Sequence, residues 1–259
     1  MNKIGFIGMG NMAKALASGF IESGALKKEQ IYAYAPNQDK LEKNAEAIGF
    51  NPMPCIKELS KECDTLIMAC KPYQIEEVLD KIGPLIGGKA LISVAAGWDY
   101  DKYSEYIDNV RFQFVMPNTP ASVSEGVFLF EEKNSLKKDE REELMGIFEH
   151  IGMVIELPSA HMGIGGAISG CGPAFVDVMM EAYADAAVKY GIKREAAYKM
   201  VAKTVLGAAK LQLETQKHPG VLKDEVCSPG GTTIRGVAAL EEKGFRAACI
   251  SSIDAVMNK

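Results

Sequence analysis

A glycine-rich turn near the start of the chain places the strongest constraint on the fold. The string Gly8-Met9-Gly10-Asn11-Met12-Ala13 fits the pattern G-x-G-x-x-A and lies between a strand pattern at Lys3–Gly8 and a helical pattern at Met12–Ser23. In such a turn the first glycine permits a tight bend, the second lets a pyrophosphate approach the backbone, and the small last residue keeps helix and strand close. The helix start adds free N–H groups and partial positive charge. The string favours a dinucleotide-binding turn over an ordinary strand-to-helix turn.

The first part of the chain alternates short apolar runs with amphipathic helical patterns. Continuous apolar runs are typical of strands that are covered by helices on both faces, and this alternation predicts a parallel, doubly wound Rossmann-type sheet. Further strands are predicted at Ile31–Ala35, near Pro52–Pro54, and at Asp64–Cys70, Ala90–Ala95, Val110–Met116, Gly126–Phe130 and Met153–Leu157, the last two at the far edge. Further helices are predicted at Leu41–Ile48, Ile75–Ile82 and Leu136–His150.

The pattern changes near Pro158, after which we find long alanine-rich helical stretches and no convincing strand. The helices are predicted at Pro173–Tyr190, Arg194–Gln216, Thr232–Glu242 and Phe245–Met257. Parts of these helices are apolar around much of their circumference, which indicates burial in a core or against a second subunit. We therefore divide the chain into an α/β dinucleotide-binding domain, residues 1–158, and an all-helical substrate and dimerisation domain, residues 159–259.

Composition excludes several classes of function. The chain of 259 residues is 47% hydrophobic and 24% charged with a formal net charge of −5, and it has no basic run of the length that nucleic-acid binding requires. Neither a membrane span nor a signal peptide is expected, so we predict a cytoplasmic protein. The six cysteines and three histidines lack the spacing of a zinc site, and reduced thiols and no metal are expected.

The end of the second strand bears on the choice of cofactor. An NAD site usually has an acidic residue here to bind the ribose 2′-hydroxyl, but the string Ala33-Tyr34-Ala35-Pro36-Asn37 contains none. A 2′-phosphate would therefore meet no repulsion, and Asn37 and Lys40 could contact it. NADPH is favoured, with NADH as the alternative, and Asn37 is also a candidate cap of the following helix.

Three more loops follow predicted strands. They contain Lys71 and Pro72, then Ala95, Ala96 and Gly97, and then Pro117 and Asn118. In doubly wound sheets ligands lie beyond the carboxyl ends of the strands, so we expect these loops and the glycine turn, with Gly8, Met9, Gly10, Asn11 and Met12, to line one cofactor crevice.

Two unusual strings open helices in the second part, Ser169-Gly170-Cys171-Gly172-Pro173-Ala174-Phe175 and Ser228-Pro229-Gly230-Gly231-Thr232-Thr233. Together with Val115–Ala121 and His218–Asp224, they make the chain resemble the pyrroline-5-carboxylate reductase family over its full length. The string Ser228–Thr233 is the most specific of these motifs. The chain departs from the usual family pattern at Cys171, at Phe175, at Gly163–Gly166 and around Cys55.

The resemblance implies reduction of 1-pyrroline-5-carboxylate to L-proline, the last step of proline biosynthesis, with hydride from NAD(P)H. It implies that the Thr233 hydroxyl meets the ring nitrogen and that Ser228, Gly230, Gly231 and Thr232 receive the carboxylate. We expect Ser228 to be the N-cap of the helix that follows. The resemblance also implies a homodimer or a ring of dimers, with the small cyclic imine as substrate.

Two alternatives remain at this point. A β-hydroxyacid or prephenate type of dehydrogenase would resemble the chain in its first domain only, and the string Ser228–Thr233 argues against it. A non-catalytic NADPH-binding regulator on the same scaffold would tolerate the departures at Gly163–Gly166 and Cys171. Turnover of the cyclic imine distinguishes both from a reductase.

Overall fold

The computed structural model describes residues 3–258. It divides into two compact units, a first that runs to Gly170 and a second that begins at Cys171. The domain ranges predicted above break at 158/159, before a helix that the structure includes in the first unit. Their terminal residues, Met1, Asn2 and Lys259, lie outside the described residues.

Eight strands form one sheet in the first unit, in the order β3-β2-β1-β4-β5-β6-β7-β8. They are β1 (Ile4–Ile7), β2 (Ile31–Tyr34), β3 (Asn51–Pro52), β4 (Thr65–Met68), β5 (Ala90–Ser93), β6 (Arg111–Met116), β7 (Gly126–Glu131) and β8 (Gly152–Leu157). The first six are parallel, whereas β7 runs antiparallel to β6 and parallel to β8. The doubly wound sheet with two extra strands at one edge is thereby confirmed.

The helices of the first unit lie on both faces of this sheet. They are α1 (Asn11–Glu22), α2 (Gln38–Ile48), α3 (Ile56–Glu62), α4 (Ile75–Ile82), α5 (Tyr100–Ser104), α6 (Lys138–Glu149) and α7 (Ser159–Gly166). Of these α3, α5 and α7 were not predicted, because two are a few residues long and the third contains three glycines. A π-helical segment, Ala167–Cys171, follows α7.

The side chains along each strand alternate between the two faces of the sheet, so the first unit has a core on each face. Phe6 of β1 and Ile67 of β4 belong to one core, and their neighbours Ile7 and Leu66 belong to the other. Successive side chains of a strand point to opposite faces, so a strand that is apolar throughout needs cover on both. This requirement explains why continuous apolar runs, rather than alternating ones, predicted the sheet.

The second unit consists of helices and contains no strand among its described residues. They are α8 (Gly172–Lys189), α9 (Arg194–Thr215), α10 (Pro219–Glu225), α11 (Thr232–Glu242) and α12 (Phe245–Met257). Its buried apolar side chains, among those described, are Ala184, Ala197 and Val201. Many large apolar side chains are exposed instead, among them Phe175, Val178, Tyr183, Leu206, Leu211, Leu213 and Ile250.

One helical run within the described residues, Ser159–Lys189, is long and apolar enough to cross a membrane by length and composition. A single run of this kind is a weak indication of a span, because buried helices of soluble proteins meet the same criterion. Only 22% of its most apolar window is buried within the chain, so most of this surface still requires cover.

Candidate cofactor and substrate sites

The glycine turn has the geometry that a dinucleotide site requires. Gly8 has a φ of +98°, and a Cβ there would lie 2.8 Å from the backbone nitrogen of Cys70, so only glycine fits. Gly10 is the N-cap of α1, and no described atom lies within 4 Å of the place where its Cβ would be. Met9 is buried and Asn11 is exposed. The turn therefore leaves open space above the first N–H groups of α1, where an anion can be bound.

The loops after β4 and β5 lie next to this turn. The Ala69 N–H donates to the Ile7 carbonyl at 2.9 Å, and the Val94 N–H donates to the Met68 carbonyl at 3.1 Å, so the parallel ladder continues into the loops. Lys71 and Pro72 follow the first of these bonds and are exposed. The crevice edge is our name for the carboxyl ends of β1, β4, β5 and β6 with these loops.

The loop after β5 and the loop after β6 complete the crevice edge. Ala95 is buried, whereas Ala96 and Gly97 are exposed, and Gly97 has a φ of +77°. Pro117 and Asn118 are buried at the end of β6. The structure thus brings all of the loops predicted to hold a cofactor to one edge of one sheet.

Asn37 caps α2, as the sequence suggested. Its Oδ1 accepts a hydrogen bond from the Lys40 N–H at 2.9 Å, and its side chain is exposed at the end of β2. The first acidic residue after β2 is Asp39, which lies inside the first turn of α2. The segment between β2 and α2 therefore has no carboxylate that would repel a phosphate.

Cys70 lies in the same loops, and its thiol is not activated as a nucleophile. Burial raises the pKa of its thiol to about 11, so the sulfur stays protonated at neutral pH. All six cysteines are free thiols in this structure, and of these only Cys63 is fully buried. Among the described residues no cluster of His, Cys, Asp or Glu side chains could hold a metal ion.

The string that opens α11 folds differently from our expectation. The Gly231 N–H donates to the Ser228 carbonyl at 3.0 Å, and Gly230 has a φ of +69°, which closes a tight turn over Pro229. The N-cap of α11 is therefore Gly231, and the prediction that Ser228 is the N-cap was wrong. Proline and a left-handed glycine favour the turn, and the turn delays the start of the helix.

This turn still presents polar groups at a helix start. Thr232 and Thr233 are the first two residues of α11, and both are exposed, as are Ser228 and Gly230. The first turn of α11 contains no acidic residue, so its free N–H groups and the threonine hydroxyls can receive a carboxylate. His218 is occupied elsewhere, because its Nδ1 accepts from the Gly220 N–H at 3.0 Å at the start of α10.

Comparison with known proteins agrees with a dinucleotide-binding fold in the first unit and with a helical second unit. The family model for pyrroline-5-carboxylate reductase dimerisation matches residues 159–259, and the model for NADP oxidoreductase, coenzyme F420-dependent, matches residues 3–97. The pyrroline-5-carboxylate reductase of Treponema pallidum is 38% identical over 98% of this chain and 98% of its own. The chain belongs to the pyrroline-5-carboxylate reductase family. The resemblance inferred from the motifs is therefore confirmed.

Other members of the reductase family give the same result. The Escherichia coli pyrroline-5-carboxylate reductase is 41% identical over 99% of this chain and 96% of its own. A crystal structure of Plasmodium falciparum pyrroline carboxylate reductase with NADP bound is 33% identical, covers 98% of this chain and 95% of its own, and has a TM-score of 0.88. The fold of both units is thus the fold of this reductase family.

Proposed function

We propose that this protein reduces 1-pyrroline-5-carboxylate to L-proline with NADPH, the last step of proline biosynthesis. One observation carries the proposal: identity of 38–41% to pyrroline-5-carboxylate reductases extends over 98–99% of the chain. The likeness therefore includes both the crevice edge and the string Ser228–Thr233. A dehydrogenase that resembled the chain in its first unit alone would not account for this.

The first unit fits a dinucleotide. Gly8, Met9, Gly10, Asn11 and Met12 would hold the pyrophosphate at the start of α1, where a side chain at position 10 would occupy the open space. Asn37 would contact the 2′-phosphate, for which no carboxylate competes. The remaining residues proposed to line the cofactor are Lys71, Pro72, Ala95, Ala96, Gly97, Pro117 and, through its backbone, Asn118. When bound, the nicotinamide supplies the hydride.

The second unit would bind the substrate. Ser228, Gly230, Gly231 and Thr232 would receive the carboxylate at the start of α11, and the Thr233 hydroxyl would contact the ring nitrogen. A hydroxyl group both donates and accepts, so it can bind the imine before reduction and the amine after it. The carbon of the C=N bond accepts the hydride and the nitrogen keeps or gains a proton. Because a protonated imine is already electrophilic, the protein has to position it but does not have to supply a strong general acid.

We also propose that the protein is a cytoplasmic homodimer built through α8 and α9. Leu206, Leu211 and Leu213 of α9 and Val178 of α8 are exposed within the chain, and water contact with such a surface is costly. The family model for this unit is itself described as a dimerisation model. In the proposed dimer each substrate pocket is completed by both chains, and dimers can assemble further into a ring.

The deciding experiment measures NADPH oxidation by the purified protein with pyrroline-5-carboxylate, and identifies the product by chromatography. We expect NADPH consumption to match proline formation. Oxidation of a hydroxyacid from a test panel with NAD(P)⁺, without turnover of the imine, would instead indicate a dehydrogenase. NADPH binding without turnover of either would indicate a non-catalytic regulator.

A further inference from the structure

Asn118, at the end of β6, uses both polar groups of its side chain within the protein. Its Oδ1 accepts from the Val127 N–H at 2.9 Å, and its Nδ2 donates to the Ser169 carbonyl at 3.0 Å. The side chain is only 6% exposed. These two bonds fix the plane of the carboxamide between β7 and the π-helical segment, so the side chain faces the protein rather than the open space of the crevice edge.

The Ser169 carbonyl lacks its usual α-helical donor because of the residue four positions later. In an α-helix it would accept from the N–H of residue 173, but residue 173 is proline, which has none. The helix widens to a π-helix at Ala167–Cys171, and Asn118 supplies a donor from outside the helix. The sequence motif around Ser169 and the loop that contains Asn118 are therefore joined directly by a hydrogen bond.

Two glycines in α7 let the segment approach the sheet closely enough. A Cβ on Gly165 would lie 2.7 Å from Cδ1 of both Leu129 and Leu157, and a Cβ on Gly166 would collide with Sδ of Met116. The Ser169 Oγ donates to the Gly165 carbonyl at 3.0 Å and stiffens the same stretch. The glycines at 165 and 166, a departure from the usual family pattern, thus bring the helix against the end of β6.

We infer that Asn118 is a positioning residue of the reductase reaction, which holds the Ser169 segment against the crevice edge, and that its side chain is not a cofactor ligand. The inference rests on the proposed function. The chain leaves the cofactor unit directly after this segment, and the residues proposed to bind the imine come later. Loss of the contact should therefore reduce turnover of the imine while NADPH binding stays intact.

The test compares Asn118→Leu and Asn118→Asp with a matched control, Asn134→Asp. Asn134 also donates from Nδ2 to a backbone carbonyl, that of Glu132 at 2.8 Å, but it lies in the loop between β7 and α6. For Asn118→Leu we expect kcat/KM for the imine to fall about tenfold, the loss typical of one hydrogen bond, with an NADPH Kd within about twofold of wild type. The control should keep both values.

Asn118→Asp adds a readout that general destabilisation would not produce. A protonated aspartic acid can donate to the Ser169 carbonyl, whereas the carboxylate cannot. Relative to wild type at each pH, its kcat/KM should recover as the pH falls from about 8 to about 5.5, the range in which a carboxyl group buried against a carbonyl regains its proton. A defect that does not change with pH would contradict the inference.

Hydrogen exchange gives a result that does not depend on activity. In Asn118→Leu the amides of residues 167–172 should lose protection, and in Asn134→Asp they should keep it. Unchanged protection, or a raised NADPH Kd with unchanged kcat, would overturn the inference and restore Asn118 as a direct cofactor contact. A wild-type protein that turns over no imine would refute the proposed function, and the exchange result would still decide the contact.

Discussion

The Gly8 N–H donates to the Tyr34 carbonyl at 2.8 Å, which ties the glycine turn to the end of β2. This bond places the open space beside Gly10 and the side chain of Asn37 on neighbouring loops at the same edge of the sheet. A dinucleotide bound there would place its pyrophosphate and its ribose phosphate on neighbouring loops. Substitutions at Gly10 and at Asn37 therefore test these two positions separately.

Gly10→Val should weaken NADPH binding about a hundredfold or more, because its side chain would occupy the pyrophosphate position and remove charged hydrogen bonds. Gly10 has a φ of −79° and no described neighbour at its Cβ position, so the variant should fold normally. Gly87→Val is the matched control, in an exposed loop before β5 with equal space. Fluorescence titration measures the Kd, and an unchanged affinity in Gly10→Val would remove the turn from the site.

The wild-type protein should bind NADPH more tightly than NADH, and Asn37→Asp should reduce or reverse that preference. Aspartate can accept the same hydrogen bond from the Lys40 N–H, so the cap of α2 is kept. The new charge should repel the 2′-phosphate by about 1.4 kcal/mol, which raises the NADPH Kd roughly tenfold. The NADH Kd serves as the internal control; tighter binding of NADH by wild type would refute the preference.

Thr233→Ala should lower kcat/KM for the imine by at most about 10²–10³-fold, by analogy with the removal of one oxyanion-hole donor. Thr233→Ser keeps the hydroxyl and should recover most of the rate. NADPH affinity and molecular mass should not change, because Thr233 is an exposed residue at the start of α11. A fully active alanine variant in steady-state kinetics would exclude the proposed contact with the ring nitrogen.

Light scattering at micromolar concentration should give at least twice the chain mass of 28.0 kDa. Leu206→Asp should shift this mass towards the monomer, because it places a charge on the exposed apolar surface of α9. Met153→Asp changes an equally exposed apolar side chain on β8 and should leave the mass unchanged. If Met153→Asp dissociated the dimer and Leu206→Asp did not, the interface would lie on the first unit instead.

Glu131→Gln should stabilise the protein at neutral pH. Burial raises the pKa of the Glu131 carboxyl group, although the Tyr100 N–H donates to its Oε2 at 2.9 Å. The folded state therefore holds the proton more tightly than the unfolded state, and stability falls as the pH rises from the ordinary glutamate pKa of 4.5 through the raised value. Glutamine does not ionise, so this loss of stability should not occur. Its side-chain oxygen can still accept a hydrogen bond from the Tyr100 N–H.

Thermal unfolding of Glu131→Gln checks the direction of this change in stability. Its Tm should be higher than that of wild type at pH 7.5, and this gain should vanish near pH 4.5. Glu132→Gln is the control, since Glu132 is exposed beside it. A gain that is equal at both pH values would show that the charge of Glu131 is not its cause.

Sequence patterns predicted the sheet because each buried strand must be apolar on both faces, as Leu66 and Ile67 of β4 are. They also predicted which loops meet at the crevice edge, because parallel strands end at the same side. They did not predict α7, since glycines at 163, 165 and 166 weaken a helical pattern. Contacts between distant residues, such as Asn118 with Ser169, leave no local signal, although the proline at 173 marks a carbonyl that lacks its α-helical donor.

The reversal of direction at β7 determines the route by which the chain leaves the sheet. Because β7 and β8 run opposite to β6, Leu157 ends β8 at the side away from the crevice edge. Helix α7 then has to travel back along the sheet, and it arrives with Gly166 against Met116 at the end of β6. Had β7 been parallel to its neighbour, the same helix would start at the crevice edge and lead away from it. The direction of β7 and β8 thus brings the chain back to the crevice edge, and the contact between Asn118 and Ser169 depends on this.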